Sequence, residues 1–212
     1  ADNREYKTMT GKYKGRSISV TSTGIGCPST AIAVEELANI GAKTFVRMGT
    51  SGAMQDFTRV GDKVIATGAV RFEGTSVQYM PIEFPAVASH EMVTALVRSA
   101  SDAKLNYHTG IVQSKDSFYG QHSPEDMPIA SELLQKWDAW VKGGVLCSEM
   151  EAATLFVVGS YRKLRTGAVL LVAGDQAKGE SLTKEDYQLN MTESINMILE
   201  ASLDIEEESS NG

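Results

Sequence analysis

The stretch FVRMGTSG, residues 45–52, sets one arginine at the end of a short apolar run, with Thr50 and Ser51 following between glycines. A guanidinium at the mouth of a buried strand is expensive unless an anion meets it. Arg47 can grip a phosphate through two parallel charged hydrogen bonds, Thr50 adds a hydroxyl, and the glycines let backbone N–H groups come close. The segment therefore reads as a compact oxyanion site. An ion pair between Arg47 and a carboxylate at a strand end is the other reading. The spacing is not that of the phosphate loop G-x-x-x-x-G-K-[ST], and TGIGCP carries only two of the three glycines of the dinucleotide fingerprint.

Three further pieces carry unusual chemistry. SEMEA places Glu149 and Glu151 two residues apart where a strand hands over to a helix. One carboxylate there can accept hydrogen bonds from both hydroxyls of a vicinal diol such as ribose. A glycosidase-like acid and nucleophile pair, or acids favoured by a helix N-terminus, would use the same letters. QSKDSFYGQ offers Phe118 and Tyr119, which suit either stacking on a flat ring or a core. It also offers Gln121, whose amide both donates and accepts, as a nucleobase edge requires. VAGDQ ends the most apolar strand with Asp175, an ionisable group that is costly there unless it is used.

The elements that must position these residues alternate in period. Strands are expected over 16–22, with Ile18 and Val20 on one face, and over 43–48, 63–70, 108–114, 144–148 and 166–173. Helices are expected over 28–40, 91–103, 130–141, 149–161 and 183–203. In the first, Pro28 suits the opening turn and Ala33, Leu37 and Ile40 share a side; in the second, Ser89 is the cap and Met92, Leu96 and Val97 face inward. The alternation implies a single α/β domain over residues 1–212, with a mostly parallel or mixed central sheet flanked by helices. Ligands in such sheets collect beyond the carboxyl ends of the strands, where TSTGIG, RMGTSG, QSKDSFYGQ, CSEMEA and VAGDQ all fall.

Bulk composition narrows the partners. The chain has 212 residues, enough for one sizeable core. A net charge of −7, from 20 basic and 27 acidic residues, argues against a nucleic-acid or anionic-membrane surface. Any anion must then be held by a few placed donors. Cys27 and Cys147 are too few and too far apart for a disulfide framework, and His90, His108 and His122 lack metal-ligand spacing. No stretch has the apolar length of a membrane span and residues 1–20 are too polar for a signal peptide, so a cytoplasmic location is expected.

Taken together, NREY (3–6), STGIGCPST (22–30), FVRMGTSGAMQ (45–55), the GD turn (61–62), KDSFYGQHSPE (115–125) and CSEMEAATLF (147–156) resemble the nucleoside phosphorylase-I family, on its uridine-cleaving side. The resemblance runs through most of the chain up to about Gln176. It implies phosphorolysis of uridine to uracil and ribose-1-phosphate, with inorganic phosphate as co-substrate and no metal or organic cofactor. By matching position, phosphate falls to Arg47, Thr50 and Arg4, the last reaching the site of a neighbouring copy in a homodimer or hexamer. Ribose falls to Met150, Glu151 and Phe118, and the base to Phe118, Tyr119 and Gln121. Arg47, Gln121 and Asp175 are the candidate catalytic groups. Glu5 and Ser29 match positions that can hold a monovalent cation such as potassium between two copies.

Two departures from the family pattern carry expectations of their own. The family's first strand, with a Gly-Asp-Pro phosphate loop ending in arginine, is absent ahead of NREY, so residues are expected to precede Ala1 in the full protein. Many uridine-cleaving relatives have an arginine where this chain has Ser123, and Asp175 stands close to the catalytic acid of purine-acting relatives. A purine nucleoside phosphorylase or a nucleosidase using Asp175, and a non-catalytic nucleoside-binding protein, are the alternatives.

Overall fold

The computed structural model describes residues 2–205. The chain opens with β1 (Asp2–Asn3), β2 (Tyr6–Tyr13) and β3 (Arg16–Thr21), then α1 (Cys27–Asn39), β4 (Thr44–Ala53), β5 (Lys63–Phe72) and β6 (Ala86–Val87). It continues through α2 (His90–Asp102), β7 (Tyr107–Lys115), α3 (Tyr119–His122), α4 (Ala130–Lys142) and β8 (Cys147–Glu149). The last elements are α5 (Ala152–Tyr161), β9 (Arg165–Asp175), β10 (Glu180–Ser181) and α6 (Lys184–Asp204).

Seven strands form a mixed sheet in the order β10-β9-β4-β8-β7-β5-β6. Pairing is parallel for β4 with β9, β5 with β7 and β7 with β8, and antiparallel for β4 with β8. The sheet curls until β5 meets β9 a second time, Lys63 opposite Leu171, so that β9, β4, β8, β7 and β5 close into a ring. Closure gives each of these strands a partner on both sides over at least part of its length. It also fixes the register around the three-residue β8: Gly52 and Gln113 both lie opposite Ser148, and Ser114 lies opposite Glu149.

Two apolar layers cover the sheet. On one side α5, whose ATLFVVG run is buried all round, packs with α1 against Val64, Val112 and Leu170. On the other, α2 and α6 bring Leu96 and Met197 onto Ile65 and Val169. Strand β9 is sandwiched between them, which is why it reads as a continuous apolar run and not as an alternation. Among the described residues no helix is long and apolar enough to cross a membrane.

The expected α/β architecture is present, with local corrections. Strand β2 was not among the expected elements. It pairs with β3 in a separate antiparallel sheet whose mostly exposed faces give no apolar alternation, and Val20 there is exposed. Ile40 caps α1 facing solvent and does not share its buried side. Ser89 is the residue preceding α2, but its hydroxyl accepts the Thr166 N–H at 2.8 Å and does not cap that helix. Strand β4 runs on to Ala53, so RMGTSG lies within a strand, and α5 begins at Ala152, three residues later than its periodicity suggests.

Candidate active site

The late start of α5 follows from Glu149. Its side chain turns back to accept the N–H groups of Glu151 (2.9 Å) and Ala152 (3.0 Å), donors that a helix N-terminus leaves unsatisfied. Ser114 Oγ donates to the same carboxylate and accepts the Ala153 N–H at 2.9 Å. Arg47 Nε adds a further hydrogen bond at 2.9 Å. A carboxylate offers about four lone-pair sites, and those of Glu149 are all in use. Its role here is to organise the turn.

Glu151 is the other half of the SEMEA pair. One of its oxygens accepts the Gly26 N–H at 2.5 Å, and the other pairs with Arg47 Nη2. Gly26 has φ +101, a conformation that favours glycine and that aims its amide at the carboxylate. Burial pushes the Glu151 carboxyl above the ordinary glutamate range, and neighbouring Glu149 adds to this, against the opposing pull of Arg47 and the Gly26 amide. Two lone-pair sites remain for a ligand hydroxyl pair.

Arg47 is thus clamped by two buried carboxylates, with its side chain 16% exposed. Of its five N–H donors, those on Nε and one on Nη2 are committed, leaving both on Nη1 and one on Nη2. The ion-pair reading and the oxyanion reading of this residue are therefore compatible. The carboxylates fix the plane of the guanidinium and leave its outer edge for a third anion.

Gly49 makes room for that plane. A Cβ at this position would sit 2.6 Å from Arg47 Nη2 and 2.7 Å from Cζ. A free arginine would swing aside at little cost, but this one is pinned. Gly49→Ala is expected to push the pinned guanidinium aside and weaken the binding of an anion on its outer edge about 100-fold, while costing only about 1–3 kcal/mol of stability, the usual range for overpacking. Titration with inorganic phosphate beside a urea melt tests this, and equal binding in the two proteins would remove the packing role.

Next to the Arg47 cluster, Ser148 Oγ accepts a hydrogen bond from Lys115 Nζ at 2.7 Å and has a single proton to offer the amide oxygens of Gln113 and Gln121, the latter at 2.6 Å. Gln121 also approaches Gly52 of β4. These groups form the polar end of a cavity of about 490 Å³ whose walls include Phe72, Leu133, Trp137 and Trp140. Asp175 and Gln176 close it from the end of β9.

The structure gathers only part of the predicted set. Arg47, Glu151 and Gln121 lie around β8, and Met150 sits between the two glutamates with its carbonyl accepting the Cys27 thiol at 3.2 Å. Phe118 and Tyr119 are not core residues: both are exposed, with Phe118 stacked on His122 at 4.1 Å and Tyr119 meeting it edge-on. Thr50 is exposed, and its hydroxyl makes no hydrogen bond among the described residues. Arg4 occupies the exposed two-residue turn between β1 and β2 at φ 56, in contact with none of these groups. Asp175 is buried but paired with Lys178 through Nζ (2.8 Å) and the backbone N–H (3.1 Å). Burial raises its carboxyl, yet those bonds prevail and hold it below the usual range. Glu5 and Ser29 both lie beside Gly24: a Cβ there would stand 3.4 Å from Glu5 Cγ and 3.8 Å from Ser29 Oγ, and that hydroxyl donates to the Thr23 carbonyl. Lys115, Ser148 and Ser114 are the site residues that the sequence reading missed. Their only signal is a lysine at the end of a strand, after Gln113 and Ser114, and two serines at register positions that only pairing reveals.

The profile of the phosphorylase superfamily matches residues 1–203. The chain belongs to the phosphorylase superfamily. Within it, the chain is 54% identical over 200 residues to a uridine phosphorylase of Treponema pallidum (strain Nichols), covering 94% of this chain and 77% of that one. It is 38% identical to a uridine phosphorylase of Escherichia coli (strain K12), covering 95% and 81%. It is 44% identical to a guanosine phosphorylase of Halorubrum lacusprofundi, covering 84% and 70%.

Proposed function

We propose that the protein catalyses the phosphorolysis of uridine to uracil and ribose-1-phosphate. The observation that carries this reading is the guanidinium of Arg47 held between Glu149 and Glu151 beside the Gln121 cavity, in a chain whose relatives include uridine phosphorylases. Breaking the glycosidic bond makes the sugar cationic at C1′ and leaves negative charge on the base. Arg47, with Thr50 and with Arg4 from a second copy, holds phosphate below C1′, where its charge meets the developing cation. Glu151, its plane set by Gly26, accepts the ribose hydroxyls, and Met150 and Phe118 pack on the sugar. Gln121 reads the base edge, with Phe118 and Tyr119 against the ring.

Arg4 makes the site shared, which requires a homodimer or a hexamer assembled from such pairs. Exposed Met9 and Val20, paired across β2 and β3, and exposed Ile25 supply apolar surface for that contact. Glu5 and Ser29 lie together beside Gly24, and a carboxylate and a hydroxyl are oxygen ligands that suit a hard monovalent cation such as potassium completed from the second copy. The purine and nucleosidase readings through Asp175 are not favoured: a carboxylate committed to Lys178 and held low in pKa is a poor proton donor.

Incubation with uridine, with and without phosphate, tests the assignment. Uracil release is expected only with phosphate and in step with ribose-1-phosphate. Equal release without phosphate would mean hydrolysis, faster turnover of guanosine than of uridine would mean a purine enzyme, and binding of uridine with no turnover would mean a carrier.

A further inference from the structure

Lys115 ends β7 with its side chain sealed from solvent at 3% exposure. Among the described residues its ammonium forms no ion pair and is met only by Ser148 Oγ at 2.7 Å. An ammonium taken out of water against a single hydroxyl is costly. Among the described residues Lys115 is also the one cationic side chain on the wall of the Gln121 cavity, and Ser148 links it to Gln121 Oε1. Arg47, the nearest alternative cation in the cluster, is already engaged by two carboxylates on the ribose side.

We propose, resting on the phosphorolysis read above, that Lys115 is a catalytic residue at the base end of the site. Its ammonium hydrogen-bonds a ring carbonyl of the departing pyrimidine conjugated with the glycosidic nitrogen, and it pairs the negative charge that cleavage leaves there. In the step, an oxygen of hydrogenphosphate bonds to C1′ as the bond from C1′ to the ring nitrogen breaks. The electron pair of the broken bond stays on the base and spreads onto the carbonyl facing Lys115. The proton of hydrogenphosphate ends on the base, giving neutral uracil and dianionic ribose-1-phosphate. Gln121 orients the base but carries no charge. Ser148 aims both groups at the same ring edge.

Burial draws the ammonium down to about 8, against the upward pull of Glu149, Glu151 and Cys147. The group is therefore still cationic at neutral pH. Its field in turn, after burial, pushes the His122 imidazole down from its ordinary value. A preorganised donor aimed at a developing anion in a dry site is worth far more than the same donor in water.

The experiment compares uridine with 5-fluorouridine, whose base leaves more readily as an anion, at saturating phosphate. Lys115→Met is expected to lower kcat/KM for uridine about 100-fold, the size of removing one such donor, and for 5-fluorouridine less than about 10-fold. Lys115→Gln, which keeps a donor without the charge, is expected to show the same unequal loss. It serves as the second probe if the methionine variant folds poorly. An equal fall for both substrates would overturn the proposal and leave Lys115 as a positioning residue for Ser148 and Gln121. No fall would remove it from the reaction altogether. Failure of the unmutated protein to cleave uridine would instead overturn the phosphorolysis reading beneath it.

Discussion

Arg47→Ala is expected to lose phosphorolysis by a factor of about 1,000 or more in kcat/KM, because on the proposed reading it removes the guanidinium held in place under the sugar and leaves phosphate to Thr50 and the second copy's arginine. A second effect follows from the structure and not from the sequence. The variant leaves two buried carboxylates facing each other without their shared cation. Breaking a buried pair from one side costs about 3–5 kcal/mol. Glu149 keeps its hydrogen bonds from Ser114 and from the first amides of α5, so the strain concentrates on Glu151. With Arg47 gone, Glu151 loses the charge that pulls its carboxyl down against burial, and its folded-state pKa rises further. The stability deficit is then present above that value and shrinks as pH falls through it, since protonation removes the unpaired charge. Urea melts at neutral and mildly acidic pH measure this. Arg47→Lys keeps a positive charge but has no planar fork to serve two carboxylates and a phosphate together, so it is expected to fold and still lose about 100-fold. Phosphate saturation at the same concentration in the alanine variant as in the unmutated protein would take Arg47 out of the phosphate site.

Glu151→Gln is expected to act on the sugar. A hydrogen bond to a charged group contributes about 1.5–3 kcal/mol, and the carboxylate has two lone-pair sites free for two adjacent hydroxyls. The glutamine variant is expected to fall about 100-fold or more on uridine and roughly 10-fold on 2′-deoxyuridine, which offers one of those hydroxyls. The preference between the two sugars thereby narrows. The acceptor must be ionised, and its pKa lies above the ordinary glutamate range. The unmutated protein should therefore lose kcat/KM on the acid side as pH falls through that raised value, a limb absent from the glutamine variant. On stability the sign is opposite. Folding raises this pKa, so ionisation of Glu151 opposes folding above it, and the neutral amide is expected to cost less than about 1 kcal/mol. An unchanged ratio of the two sugars would end the ribose assignment.

How far the letters alone reach differs from residue to residue. The apolar run of β9, the helical periodicity of α2, α4 and α6, and the strand-end clusters of arginine, glutamate and glutamine are local properties of the sequence. Periodicity reports burial, and burial there is what holds those elements in place. Strand β2 escaped because both faces of its sheet are largely exposed, so no apolar alternation marks it. The start of α5 escaped because the Glu149 side chain folds onto the Glu151 and Ala152 amides and sets the first turn after them, a choice made by one side chain's contacts. No propensity encodes that.

The division within the site has the same origin. Residue types and their order were enough to expect Arg47, Glu151 and Gln121 at one end of the sheet, where the structure brings them together around β8. They could not say that the arginine meets two carboxylates before any phosphate, nor that Glu149 is spent on its helix while Glu151 is free. Nor could they show a lysine 33 residues before Ser148 in the chain reaching the same hydroxyl as Gln121. Those facts depend on β4, β7 and β8 lying side by side in a closed ring. Pairing between distant strands is decided by the packing of the whole core, and a charge buried at such a junction takes its partners from across the sheet.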